Sequence, residues 1–258
     1  YDQGYVIEDS AINIENAVSG LTDVTIGSTV LGGANSVNSN DGAITVTIAE
    51  RKALGGDYDQ DYVIEDSAIH IEQEVAGLNE TNIDATVLGD ANSVNSTDGA
   101  ITVTIAERKA LGGDYTGEYR INDSVTNISS EIDINGGGST VLLGATNAGP
   151  VSAIFANDAS AGSRLDLNVY ELSLYVNSLI PSQVEVTDNA TNLVTTLTQT
   201  PNQPPVQSFL SSSNLGPITM AMESTDNMDL TSYVSKVVIQ AIDNIDISGA
   251  SGTRVTVD

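Results

Sequence analysis

Tyr5-Val6-Ile7-Glu8-Asp9-Ser10-Ala11-Ile12-Asn13-Ile14 returns as Tyr62-Val63-Ile64-Glu65-Asp66-Ser67-Ala68-Ile69-His70-Ile71, and again as Tyr119-Arg120-Ile121-Asn122-Asp123-Ser124-Val125-Thr126-Asn127-Ile128. A more worn copy runs from Val184 to Leu193, and a last trace is Ile239-Gln240-Ala241-Ile242-Asp243-Asn244. The shared aspartates Asp9, Asp66, Asp123, Asp188 and Asp243 stand 57, 57, 65 and 55 residues apart. Self-similarity at such a period marks a repeat array, in which each unit buries its apolar face against a neighbour. The division expected is repeat 1 at 1–57, repeat 2 at 58–114, a divergent repeat 3 at 115–180, a divergent repeat 4 at 181–236 and a partial repeat 5 at 237–258. The expected fold class is a repeat protein, an elongated solenoid-like stack of short β-strands with short helices, a β-rich α/β arrangement.

Repeats 1 and 2 align without a gap and differ at 13 of 57 positions. In repeat 1, Tyr5 to Glu8 alternates as a strand, and Asp9-Ser10 supplies side-chain oxygens to cap a helix. Ile14, Val18 and Leu21 follow at i, i+4 and i+7, one face of that helix, which Gly20 ends. Val24 to Leu31 reads as a second strand, Gly32 to Gly42 as a loop closing with an Asp41-Gly42 turn, and Ala43 to Ile48 as a third strand. Thr47 and Glu50 have the spacing of a capping box at the start of a short helix, and Gly55-Gly56 stops it.

The step from Asp123 to Asp188 is eight residues longer than the first two, 65 against 57, and the extra length fits the small-residue region from Asn135 to Gly162. The closing strand of repeat 3 is expected at Leu165 to Val169 and its closing helix at Tyr170 to Leu179, with Pro181 as the break. Repeat 4 carries Pro201, Pro204 and Pro205 in an expected loop, then a strand from Ile218 to Met222 and a helix around Leu230 to Lys236.

Eight basic against 35 acidic residues give a net charge of −27. That charge repels phosphate backbones and anionic lipid surfaces, which argues against nucleic-acid or membrane partners and favours solubility and divalent cations. The acids alternate with Val, Ile and Thr, so they read first as a solvated surface. With no cysteine there is no disulfide framework, thiolate metal site or Cys nucleophile, a usage that suits an exported bacterial protein. No stretch reaches the apolar length of a membrane span and no basic and apolar signal opens the chain, so either a signal has been removed or the chain is an excerpt.

Asp9-Ser10-Ala11-Ile12-Asn13-Ile14 taken with Ile44-Thr45-Val46-Thr47-Ile48-Ala49-Glu50 resembles the tandem repeat regions of very large secreted bacterial surface proteins, in which an Asp-Thr-Ala-Ala-Asn-Ile motif precedes a helix. Asp188-Asn189-Ala190-Thr191-Asn192-Leu193 is a further match. The resemblance implies an extracellular, adhesin-like or surface-layer-like structural array with no catalytic residues to carry over.

Asp57, Asp59 and Asp61 form an Asp-x-Asp-x-Asp run between repeats 1 and 2, and alternating carboxylates are what a hard cation wanting six to eight oxygens requires. They are the candidate calcium ligands, read against an exposed acidic turn. Asn38 to Gly42 and Asn95 to Gly99 read as turns. His70 is the sole histidine and stands where repeat 1 has Asn13, so it reads as a tolerated position instead of a catalytic base. No catalytic or cofactor-binding residue is expected, and the chain is read as a non-enzyme. The leading expectation is an extracellular stalk, filament or surface-layer segment that associates head to tail. The alternative is an adhesin-type module binding glycan or protein through repeats 3 and 4, and the third is a polysaccharide-active enzyme on a solenoid scaffold.

Overall fold

The computed structural model describes residues 4–132, 149–189, 192–193, 204–210, 212–221 and 244–246. The chain divides into two compact units, the first holding described residues up to Arg120 and at 149–151, the second those at 121–132 and from Ser152 onward. The first unit contains β1 (Tyr5–Asp9), α1 (Ala11–Val18), β2 (Ala34–Ser39), β3 (Ile44–Val46), α2 (Ile48–Leu54), β4 (Tyr62–Asp66), α3 (Ala68–Val75), β5 (Ser93–Ser96), β6 (Ile101–Val103) and α4 (Ile105–Leu111). Strand β7 (Tyr119–Asp123) spans the boundary. The second unit contains α5 (Val125–Ile132), β8 (Val151–Ala156) from its second residue on, β9 (Leu165–Leu167), α6 (Val169–Tyr175), β10 (Val184–Asn189), α7 (Pro204–Leu210), β11 (Ile218–Ala221) and β12 (Asn244–Asp246).

The sheets are small and parallel. In the first unit β1 pairs with β2, and β4 lies between β3 and β5, with Ile44 opposite Tyr62 and Val63 opposite Ser93. Parallel neighbours need a crossover, which α1 and α3 supply in β1-α1-β2 and β4-α3-β5. The opening strand of repeat 2 is therefore paired on one edge with the closing strand of repeat 1 and on the other with its own middle strand. In the second unit the order is β12-β11-β10-β9, so the opening strand of repeat 4 pairs directly with β11. The whole is an α/β mix with no closed barrel among the described residues.

Ile14 and Val18 are buried on the face expected from their spacing, and α1 packs on β3. Leu31, Val37, Ile44, Val46 and Leu54 complete the core of repeat 1. The closing helices follow the sequence closely. Thr47 and Thr104 make full capping boxes with Glu50 and Glu107, and Gly55 and Gly112 take the positive φ that ends the helix.

Three expectations are corrected. Val24 to Leu31 is not a strand: two 3₁₀ turns lie at Ile26–Ser28 and Leu31–Gly33, and Val24 is 90% exposed. The middle strand is instead Ala34–Ser39, inside the expected loop, where β1 supplies a hydrogen-bonding edge and the core takes Ala34 and Val37. Strand formation depends on what the residues pack against more than on their intrinsic preference. In the closing segment of repeat 3, Asn168 is a helix N-cap, the strand ends at Leu167 and the helix at Tyr175, ahead of the expected Leu179. In repeat 4 the proline segment forms α7, because the fixed φ of proline suits a helix's first turn. The expected helix at Leu230 to Lys236 and the residues 133–148 and 239–243 lie outside the described residues.

Candidate functional site

Eight acidic side chains of repeats 1 and 2, Asp9, Glu15, Asp41, Glu50, Asp66, Glu72, Asp98 and Glu107, accept hydrogen bonds from backbone amides. Asp41 accepts from the amide of Ala11 at 2.6 Å, and Asp98 from Ala68 at 2.7 Å, so the Asp-Gly turn closes the amino end of the opening helix. Glu15 and Glu72 accept from Thr45 and Thr102, which ties the opening helix to the closing strand. Glu50 accepts from both Thr47 and Gly20, and Glu107 from Thr104 and Gly77. Most of these pairs are exposed, and a hydrogen bond of this kind contributes about 0.5–1.5 kcal/mol net. They add a structural role to some of the acids, while others, Asp57, Asp59 and Asp61 among them, remain on the exposed surface.

The repeated aspartate has the largest share. Asp66, nearly buried, accepts through Oδ1 from the amide of Ser67 at 2.8 Å and pairs with His70 Nδ1 at 2.7 Å. Its Oδ2 accepts from the amide of Ile48 at 3.0 Å, the first residue of α2 in the preceding repeat. Asp188 does the same to Val169 at 2.9 Å, and Asn192 bonds its Oδ1. Asp66 thus caps its own opening helix and the closing helix of the repeat before it, and Asp188 caps the closing helix of the repeat before it.

A second link lies beside the first. Arg51 donates to the carbonyls of Gly55 at 2.7 Å and Tyr58 at 3.1 Å, and its guanidinium sits 4.4 Å from the Tyr62 ring centroid. Arg108 repeats this with Gly112, Tyr115 and the Tyr119 ring, and is only 1% exposed. Burial lowers the Arg108 pKa and raises those of Tyr58, Tyr62 and Tyr115, and a planar guanidinium lies over the Tyr62 and Tyr119 rings. In the second unit the matching positions are Leu172 and Val184, both fully buried, so an aliphatic pair stands where the first unit uses a cation and a ring.

Asp57, Asp59 and Asp61 are all exposed, and among the described residues no group of three or more His, Cys, Asp or Glu side chains is placed to hold a metal ion. The link that carries them already contains a cation, since the carbonyls of Gly55 and Tyr58 are held by Arg51, and the Tyr58 hydroxyl donates to the carbonyl of Asp61. His70 takes the place of Asn13, Asn127 and Asn192, whose amides donate to Asp9, Asp123 and Asp188 at 2.7–2.9 Å. It is a hydrogen-bonding substitute for asparagine at a helix cap.

A cleft of about 440 Å³ in the second unit is lined by Ser129, Asp166, Asn168, Glu171 and Thr187, among others. Ser129 occupies the place of Glu15 and Glu72, and its shorter side chain leaves room there. Glu171 closes the capping box of α6 with Asn168, as Glu50 and Glu107 do with their threonines, so the fold accounts for that carboxylate.

The sequence pointed to Asp9, Asp66, Asp123 and Asp188 as repeated positions but not to the reach of Asp66 and Asp188 across the repeat boundary. It passed over Arg51 with Tyr62 and Arg108 with Tyr119. The available signal was the constant interval of eleven residues in both pairs. Comparison with protein-family models, curated proteins and solved structures finds no match.

Proposed function

We propose that this chain is a structural array of an extracellular protein, a stalk, filament or surface-layer segment whose α/β units stack in solenoid fashion, with no catalytic role. The observation that carries the reading is the Asp66 carboxylate, which caps one helix in its own repeat and another in the repeat before it. Such a junction makes each repeat the cover of its neighbour, and stability then grows by nearest-neighbour terms as units are added. The acidic surface and absence of cysteine suit an exported setting, and the charge disfavours nucleic acid and anionic lipid.

Calcium at Asp57, Asp59 and Asp61 belongs to this proposal as a surface option and not as a requirement of the fold. Negative-stain electron microscopy of the purified chain, with excess calcium and with chelator, tests both parts. Filaments of constant width support an assembling subunit, and their loss in chelator gives those aspartates a role. Separate particles in both conditions sink the filament form. The cleft at Ser129 and Asp166 is the observation behind the second reading, a glycan-binding surface in the divergent repeats. A glycan array with no signal removes it.

A further inference from the structure

Strands β1 and β4 have the same sequence, Tyr-Val-Ile-Glu-Asp, and the same partner on one edge, β2 for β1 and β5 for β4. The Tyr5 hydroxyl donates to the carbonyl of Val30, as that of Tyr62 does to Val87. The other edge differs. On β4 lie strand β3, the Ile48 amide held by Asp66, and the Arg51 guanidinium over Tyr62. On β1, among the described residues, no strand but β2 is paired, and Tyr5 and Val6 are exposed.

We propose that the Tyr5–Asp9 face is a receptor for the closing strand and short helix of another repeat unit, a segment of the type Ile44–Leu54. The inference deepens the stacking reading and rests on it. The occupant is identified by continuity with the β3-β4 junction, where an identical strand is covered by just such a segment. At that junction Arg51 lies over the Tyr62 ring and Lys52 pairs with Glu74; β1 keeps the ring as Tyr5 and the amide acceptor as Asp9, and α1 has Ala17 where Glu74 stands. In the docked form Asp9 accepts the first amide of the incoming helix, the incoming arginine lies over the Tyr5 ring, and the incoming strand pairs in parallel with β1. This is strand addition to an open edge, with the arginine and the helix amide supplying selectivity.

The test adds a second copy of residues 1–57 ahead of Tyr1 in the full chain. The new junction then reads Gly-Gly-Asp-Tyr-Asp-Gln, as at Gly55 to Gln60. Hydrogen exchange at the outward-facing amides of β1 is expected to slow by at least about 10-fold, toward the rates of β4, and Arg51→Ala in the added copy is expected to reverse part of that gain. If the added copy folds, shown by protection of its own α2, and the β1 rates do not move, the proposal is overturned. Should the added copy not fold, a synthetic peptide covering Asp41 to Tyr58, titrated into the unmodified chain, decides: shifts confined to β1 and α1 support the proposal, and none overturns it. Filaments are scored separately by microscopy, so a chain without filaments that gains β1 protection loses the filament reading and keeps the docking face.

Discussion

Strands β1 and β4 carry the same five residues, yet Tyr5 is 44% exposed and Tyr62 is 2% exposed, and Ile7 is half-buried where Ile64 is fully enclosed. Side-chain chemistry and local backbone are shared, so the difference comes from the closing segment that reaches β4 from the preceding repeat. Burying groups such as Tyr62 and Ile64 contributes roughly 2 kcal/mol each. The same strand is enclosed or open according to whether a closing segment lies on it, as β3 and α2 do on β4.

The largest expected contrast is at the isoleucines. Ile64→Ala leaves a cavity between β3, β4 and α2 and is expected to cost about 3–4 kcal/mol, whereas Ile7→Ala is expected to cost about 1 kcal/mol, both read from urea denaturation. Equal losses would mean that β1 is covered in solution. Next come the aspartates. Asp66→Ala strips acceptors from the Ile48 and Ser67 amides and is expected to cost about 3 kcal/mol, with faster exchange in α2 as well as α3. Asp9→Ala is expected to cost clearly less and to leave other helices undisturbed, and matching effects would break the comparison.

Arg108→Ala removes two carbonyl contacts and the Tyr119 ring contact, and about 2 kcal/mol of stability is expected to go with them. Arg51→Ala, at a less buried site, is expected to show about half that. A pH series sharpens the picture. Burial raises the pKa of Tyr58, Tyr62 and Tyr115 in the folded protein, so their stabilising effect is complete below the unfolded value of about 10 and is lost as pH rises through the higher folded values. Urea midpoints are expected to fall above that pH together with the appearance of tyrosinate absorbance. Midpoints that stay flat through tyrosine ionisation would sink this account. The smallest effect is at His70. His70→Asn restores the residue that repeat 1 uses and is expected to change stability by less than about 0.5 kcal/mol.

Much of the local structure was legible because it depends on neighbours in sequence. The Thr47 and Glu50 capping box, the stop at Gly55 and the buried face of Ile14 and Val18 were all read from spacing, since helix ends and helix faces are set within one or two turns. The middle strand was not, because Ala34-Asn35-Ser36-Val37-Asn38-Ser39 has weak strand character and forms on the edge that β1 presents. The acceptor role of Asp41 and Glu15 was not legible for a related reason: each meets an amide thirty residues away, and nothing local marks that encounter.

By itself the sequence determined the period, the place of each capped helix in repeats 1 and 2 and the excess of negative charge, because identity between repeats and helix caps are properties of short stretches. Only the tertiary structure decided that the repeated aspartate reaches back across the repeat boundary, that arginine and tyrosine eleven residues apart meet face to face, and that Tyr62 is buried while Tyr5 is not. These depend on parallel strand pairing between successive repeats, which brings distant groups within hydrogen-bonding range and is written in no single stretch of the chain.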